Sequence, residues 1–104
     1  REFLHVDDLA DACVYLMNVP DAKLSLKNSP LFNIGTGTDL TVRELAELIK
    51  EITGFKGDIS YDTSKPDGTP QKRLDVSKMK HLGWQSKTNL KNGIRQVTDW
   101  YATQ

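Results

Sequence analysis

The first third of the chain has an order of apolar and polar residues that predicts a strand, a helix and a loop. Apolar side chains dominate 2–6, which reads as a short strand. Asp7 and Asp8 follow it, and either carboxylate can cap a helix by accepting hydrogen bonds from free backbone amides. Apolar residues then recur at helical spacing from Leu9 to Met17, and the polar stretch 21–30 is predicted to be a surface loop.

The middle of the chain carries the strongest helix signal. A second short strand is predicted over 31–34, and the next helix is predicted to begin at Thr41. Thr41 and Glu44 form a capping box, and Gly54 supplies the residue that can end the helix in a left-handed conformation. One face of this helix is apolar, through Leu45, Leu48, Ile49 and Ile52.

The last part of the chain predicts a strand, a loop and two helices. Alternation over 59–61 is typical of a half-buried strand, whereas two prolines and a glycine predict a loop over 62–72. Asp75 and Asn89 are the expected caps of the two remaining helices. The element order therefore predicts an α/β fold with short parallel strands covered by about four helices.

Composition narrows the classes of partner. The 104 residues contain 14 Lys plus Arg and 14 Asp plus Glu, so no net charge attracts nucleic acid or an anionic membrane. A 38% hydrophobic content predicts a thin core. No apolar run approaches the roughly 20 residues that cross a bilayer, which predicts a soluble protein. The single cysteine, Cys13, excludes an internal disulfide, favours a reducing cytoplasm, and is expected to be a small core residue.

Two short motifs suggest cofactor chemistry but are incomplete. Gly35 and Gly37 lie between a predicted strand and helix, yet the third glycine of a dinucleotide-binding fingerprint would fall at Leu40. Tyr61 and Lys65 have the spacing of a reductase dyad, which needs one helical face, but Lys65 precedes a proline and Tyr61 lies in the strand pattern. We therefore predict a paired-glycine turn, and neither a cofactor-binding nor a catalytic residue.

The two histidines do not predict a metal site. His5 and His81 lie far apart in the sequence, and a zinc site needs three or four ligands. Each histidine is expected to have a structural role. His5, at the end of the predicted strand, could line a site, but a hydrogen bond to a neighbouring backbone carbonyl is the favoured interpretation of its imidazole.

Four segments resemble the extended short-chain dehydrogenase/reductase family that acts on nucleotide-sugars. The opening REFLHVDDLA, over 1–10, is similar to a segment shared by that whole class. The loop SKPDGTPQK, over 64–72, is narrower and closely resembles the GDP-L-fucose synthase family. NIGTG over 33–37 and TVRELA over 41–46 fit the same family.

The resemblance implies that 1–104 is the C-terminal, substrate-binding segment of an NADPH-dependent enzyme that converts GDP-4-keto-6-deoxymannose to GDP-L-fucose. It implies an N-terminal NADP-binding domain, with the catalytic Ser, Tyr and Lys, before Arg1 and absent from this chain. The segment alone is then expected to be inactive and to bind no NADP(H), and the longer enzyme is expected to be a homodimer. Carried over by motif position, the substrate-binding residues are Arg1, Asp67 and Lys72.

The residue types suit these roles. Guanidinium and ammonium groups form charge-assisted hydrogen bonds with diphosphate oxygens, and a carboxylate accepts from sugar or base hydroxyl and amino groups. Two alternatives stay open: a segment of a related GDP-sugar dehydratase or nucleotide-sugar epimerase, and a stand-alone interaction module without catalysis. The apolar residues around the first helix also predict an exposed patch that promotes self-association of the isolated segment.

Overall fold

A computed structural model describes residues 1–24 and 31–104, and within these ranges the chain forms five helices. They are α1 (Val6–Asn18), α2 (Asp21–Leu24), α3 (Val42–Thr53), α4 (Ser77–His81) and α5 (Leu90–Ala102). The described residues between them are turns, bends and irregular backbone. None of the described helices is long and apolar enough to cross a membrane.

The predicted short strands do not form in the part of the chain that the structure describes. Residues 2–5, 31–34 and 59–61 are not helical, but they form no strand ladder, and Val6 belongs to α1. A strand needs a neighbouring strand to bond its backbone groups, and a pattern of apolar residues does not supply one. One reciprocal backbone pair does form, in which the Arg1 nitrogen donates to the Leu40 carbonyl at 2.5 Å and the Leu40 N–H donates to the Arg1 carbonyl at 3.0 Å.

The start of α1 also differs from the prediction. His5, and neither Asp7 nor Asp8, is the N-cap, because the Asp7 N–H donates to the imidazole Nδ1 of His5 at 3.3 Å. Asp7 and Asp8 lie in the first turn, where their negative charge interacts favourably with the positive end of the helix dipole. After α1, residues 21–24 form α2, although this stretch was expected to be a loop; the rest of that expected loop, 25–30, lies outside the described residues.

The predictions for α3 and α5 are confirmed. Thr41 Oγ1 accepts from the Glu44 N–H at 3.1 Å while the Thr41 N–H donates to Glu44 Oε2 at 2.7 Å, and Gly54 ends the helix with φ +69°. Asn89 caps α5 by accepting from the Asn92 N–H at 2.9 Å. In α4 the N-cap position is Val76, and Asp75 lies just before it. The Asp75 carboxylate still accepts from the Ser77 N–H at 2.9 Å.

The core is small and joins α1 to α4 and the turn that follows it. Ala12, Met79 and Trp84 are buried, and half-buried apolar residues, Tyr15, Leu16, Phe32, Ile34 and Leu82, pack against them. Trp84 Nε1 donates to Asp11 at 2.8 Å, so even the largest core side chain has its polar atom paired.

The buried carboxylate of Asp8 joins α1 to the segment that leads into α5. Asp8 is only 4% exposed, and its Oδ2 accepts from the Lys87 N–H at 3.1 Å and the Thr88 N–H at 2.9 Å. Thr88 Oγ1 lies 3.3 Å from the other oxygen. The carboxylate thus fixes α1 against the segment that leads into α5.

The described chain is open in shape. The Cα radius of gyration is 17.2 Å, whereas a compact domain of this length has roughly 13 Å, and the extents are 54 × 36 × 19 Å. Many large apolar side chains are exposed, including Met17 at 85% and Val6 at 66%. Cys13 is exposed as well, so its predicted place in the core is wrong. A helical period identifies an apolar face, but it does not say whether this chain covers that face.

Candidate functional site

The candidate substrate site is an open cleft of about 530 Å³ between Arg1, the start of α3 and the 67–71 loop. Its wall is formed by Arg1, Asp39, Leu40, Thr41, Val42, Glu44, Asp67, Gly68, Thr69, Pro70 and Gln71. The backbone pair between Arg1 and Leu40 places the two ends of this wall side by side. Two of the three residues predicted to bind substrate, Arg1 and Asp67, therefore meet in one cleft.

Arg1 is held by the loop that it faces. Its Nη1 donates to the Thr69 carbonyl at 2.6 Å. A Cβ added to Gly68 would lie 3.0 Å from Arg1 Nη2, so a glycine at this position leaves room for the guanidinium. One hydrogen bond to Thr69 leaves further N–H groups of the guanidinium for a ligand.

Residues 62–72 form no helix, as the sequence predicted. Hydrogen bonds fix this loop at three points along its length. Asp62 Oδ1 accepts from the backbone N–H of Ser64 at 2.9 Å and from its hydroxyl at 2.6 Å. These hydrogen bonds from Ser64 hold the pKa of Asp62 below its ordinary 3.8. Arg1 fixes the middle of the loop, and Gln71 Nε2 fixes its end by donating to Asp39 Oδ2 at 2.7 Å. Such anchoring lowers the ordering cost of ligand binding.

Lys72 is the predicted substrate residue that the structure does not bring into the cleft. Its side chain is exposed, and it is not part of the cleft wall, although Gln71 beside it is. The flexible four-carbon stem of a lysine can reach a ligand that projects from the cleft. Its role stays a prediction.

Two carboxylates in the cleft were not predicted from the sequence. Asp39 is engaged with Gln71, and the Glu44 carboxylate closes the capping box of α3. The backbone and side-chain hydrogen bonds with Thr41 hold the pKa of Glu44 below its ordinary 4.5. With Asp67, three acidic residues thus line the same cleft as Arg1. Of the cleft residues, Arg1 alone supplies a full positive charge, so the cleft suits ligand hydroxyl and amino groups as well as phosphate oxygens.

The paired-glycine turn is filled by an acidic side chain of the same chain. The Gly37 N–H donates to Glu2 Oε2 at 3.0 Å, and Gly37 has φ +76°. A Cβ on Gly35 would lie only 2.2 Å from Glu2 Oε1. The Glu2 carboxylate thus lies against both glycines of the turn. The partner, Glu2, lies 35 residues away from Gly37 and gives no local sequence signal.

The Tyr61 and Lys65 pair and the two histidines are the other residues considered from the sequence. Tyr61 is not in a helix, so it shares no helical face with Lys65. Its ring lies 4.1 Å from the Arg43 guanidinium, and its buried hydroxyl has no hydrogen-bond partner among the residues that the structure describes. His5 caps α1, and His81 ends α4. Across 1–24 and 31–104, no group of three or more His, Cys, Asp or Glu side chains is arranged to hold a metal ion.

Comparison with solved structures shows which class of protein this chain resembles. No family model matches the sequence. A solved structure, a GDP-mannoheptose C4 reductase from Campylobacter jejuni with NADP bound, superimposes with a TM-score of 0.83 at 42% identity, over 98% of this chain and 31% of that one. The chain is therefore related in sequence and in fold to a segment of the GDP-sugar reductases.

Comparison with curated sequences points to a narrower group of enzymes within this class. GDP-L-fucose synthase 1 of Arabidopsis thaliana is 54% identical over 97% of this chain, and GDP-L-fucose synthase of Escherichia coli K12 is 42% identical over 97% of it. The chain spans only 29% and 32% of these two relatives. It is a homologue of one segment of the GDP-L-fucose synthases, which confirms the resemblance seen in the four sequence segments.

Proposed function

We propose that this chain is the C-terminal, GDP-sugar-binding part of an NADP(H)-dependent epimerase/reductase that converts GDP-4-keto-6-deoxymannose to GDP-L-fucose. The observation that carries the proposal is 54% identity to a GDP-L-fucose synthase over 97% of the chain. The cleft between Arg1 and the 67–71 loop supports it, because two residues named by motif position meet there.

Each of the three predicted substrate-binding residues has a role that fits its chemistry. Arg1 binds a diphosphate oxygen with the N–H groups that Thr69 leaves free. Asp67 accepts hydrogen bonds from hydroxyl or amino groups of the sugar or the base. Lys72 neutralises diphosphate charge at the edge of the cleft. These contacts bind and orient the substrate and exclude water from one side of it.

The chemical steps belong to the rest of the longer protein in this proposal. The preceding part holds NADP(H) and the catalytic Ser, Tyr and Lys, and the whole enzyme is a homodimer. NADPH, when bound there, supplies the hydride for the reduction. The present segment contributes binding energy and substrate position, which set KM and the geometry of the reacting sugar.

The test compares the longer protein that contains this segment with the segment alone. With GDP-4-keto-6-deoxymannose, the longer protein should consume NADPH and form GDP-L-fucose, and the segment should do neither. Arg1→Ala should raise KM by about tenfold, the cost of one charge-assisted hydrogen bond, with a smaller change in kcat. Turnover by the segment alone would contradict the proposal.

Product analysis separates the nearest alternative functions. A dehydratase would yield a keto-sugar, and a simple epimerase would show no net consumption of NADPH. The exposed apolar residues of α1 favour a second candidate, a stand-alone module that binds a protein partner. A natural reading frame that begins near Arg1, with no cofactor domain before it, would support that candidate.

A further inference from the structure

One side-chain hydrogen bond joins two parts of the cleft wall that lie far apart in the sequence. Gln71 Nε2, at the end of the 67–71 loop, donates to Asp39 Oδ2 at 2.7 Å, across 32 residues. Both residues line the cleft, and the bond lies at the surface. A single exposed hydrogen bond of this kind contributes little to the stability of the fold. Its place in the cleft wall therefore points to a role in binding.

Gln71 is the anchor of the loop that lies nearest to Lys72. The Thr69 carbonyl accepts a hydrogen bond at 2.6 Å before it, and the Asp75 carbonyl accepts one at 3.3 Å after it. Among the described residues, the Gln71 side chain makes the one hydrogen bond between these two points. The Lys72 ammonium ends a flexible four-carbon stem, so its reach depends on where the neighbouring backbone is held. Loss of the Gln71 anchor would release that backbone.

The charge of Asp39 would act on Arg1 if the carboxylate were free. Asp39 directly precedes the residue whose backbone is paired with Arg1. Hydrogen bonds with Thr41 lower the pKa of Glu44, and the charge of Asp39 acts in the opposite direction, because the two carboxylates repel each other. A carboxylate released by Gln71 is therefore repelled by one neighbour and attracted by the guanidinium. An ion pair with Asp39 would occupy the N–H groups that a diphosphate needs.

We propose that Asp39 and Gln71 are a positioning pair for the GDP-sugar. Gln71 holds the Asp39 carboxylate away from Arg1, and Asp39 holds the end of the loop that leads into Lys72. The pair acts on the ligand through Arg1 and Lys72 and makes no contact of its own with the reacting sugar. This inference rests on the proposed function, because it concerns the same cleft.

Exchange of the donor and the acceptor tests the pair in the longer protein that contains this segment. Gln71→Glu replaces the donor with a carboxylate of the same size, which breaks the bond and repels Asp39. Addition of Asp39→Asn rebuilds the bond in the reverse direction, since the new amide donates to the new carboxylate. The net charge of the exchanged pair equals that of the wild type. Gln96→Glu, on an exposed site of α5, is the matched control.

The assay follows NADPH consumption against the concentration of GDP-4-keto-6-deoxymannose. We expect Gln71→Glu to raise KM about tenfold and to leave kcat within about twofold, because the pair supports binding of the ground state and the transition state alike. The exchanged pair should bring KM back to within about twofold of the wild type. The control should have the wild-type KM, and Tm should be equal in all four proteins.

Two alanine variants separate the two roles of the pair. Gln71→Ala removes the anchor of the loop and also frees the Asp39 carboxylate, whereas Asp39→Ala removes the anchor alone. We therefore expect the larger rise in KM for Gln71→Ala, and the combined variant should match Asp39→Ala. A rise for Asp39→Ala that equals or exceeds that for Gln71→Ala would overturn the competition for Arg1.

Three results in the exchange experiment would overturn the pair. They are an unchanged KM in Gln71→Glu, a raised KM that the exchanged pair does not restore, and a fall of kcat and Tm together, which indicates a merely structural role. Failure of the proposed function gives a different result, which is no turnover by the wild type. The affinity of the same variants for GDP, measured by calorimetry, then decides. Weaker binding by Gln71→Glu that the exchanged pair restores supports the pair, and equal affinity, or no binding of GDP by the wild type, overturns it.

Discussion

Asp8 offers the sharpest test of how the chain is held together. Its Oδ2 accepts hydrogen bonds from two backbone N–H groups, those of Lys87 at 3.1 Å and Thr88 at 2.9 Å. The side chain is almost wholly buried. Asp8→Ala leaves both donors without a partner. Hydrogen bonds to charged groups contribute about 1.5–3 kcal/mol each, and the better helix propensity of alanine offsets roughly 0.5 kcal/mol. We expect a loss of about 3 kcal/mol in the free energy of unfolding.

Asp8→Asn separates hydrogen bonding from charge. The amide oxygen can accept both backbone N–H groups, and the NH₂ group can donate to the Thr88 hydroxyl, so we expect a loss of about 1 kcal/mol or less. Asp7→Ala is the matched control, since its side chain is 85% exposed. Urea unfolding followed by circular dichroism measures all three variants. A loss for Asp8→Ala no larger than that of the Asp7 control would refute the reasoning.

Three further predictions concern stability. Gly35→Ala should cost about 1–3 kcal/mol, because the new Cβ displaces Glu2 from the turn; an unchanged urea midpoint would contradict this contact. Thr41→Ala should cost about 1 kcal/mol through the lost cap of α3, measurable as a lower Tm, and an equal Tm would count against the capping box. Five carboxyl groups have a lowered pKa because they accept hydrogen bonds in the folded state. Their contribution to the stability of the fold is complete above the ordinary pKa values of 3.8 and 4.5. This contribution is lost as the pH falls through the lowered pKa values. Tm should therefore be steady from pH 7 to about 5 and fall below about pH 4, and a constant Tm down to pH 2 would contradict this; the groups are Asp11, Glu44, Glu51, Asp62 and Asp75.

The features that the sequence predicts correctly are local. The capping box of Thr41 and Glu44 and the glycine at 54 act within a few residues, so they identify α3 from the sequence alone. The predicted strands do not form among the described residues, because a strand requires a partner that the pattern cannot supply. Cys13 was wrong because helical spacing does not reveal which apolar face the chain itself covers.

The same distinction applies to the candidate site. Arg1 and Asp67 were found through motif resemblance, and the structure brings them into one cleft. Asp39 was missed because only the folded loop brings Gln71 to it, across 32 residues of sequence. Local patterns thus identify residue types suited to a ligand, whereas the charge balance of the cleft depends on long-range contacts.

Titration of the isotope-labelled chain with GDP, followed by backbone amide NMR shifts, tests the central claim most directly. The variants are Asp67→Asn and Lys72→Ala, with the exposed Lys56→Ala as the matched control. The account predicts saturable shifts at Arg1 and over the 67–72 loop, weakened in the first two variants and unchanged in the control. A well-folded chain that shows no shifts, or shifts that ignore these residues, would contradict the claim that this segment carries part of a GDP-sugar site.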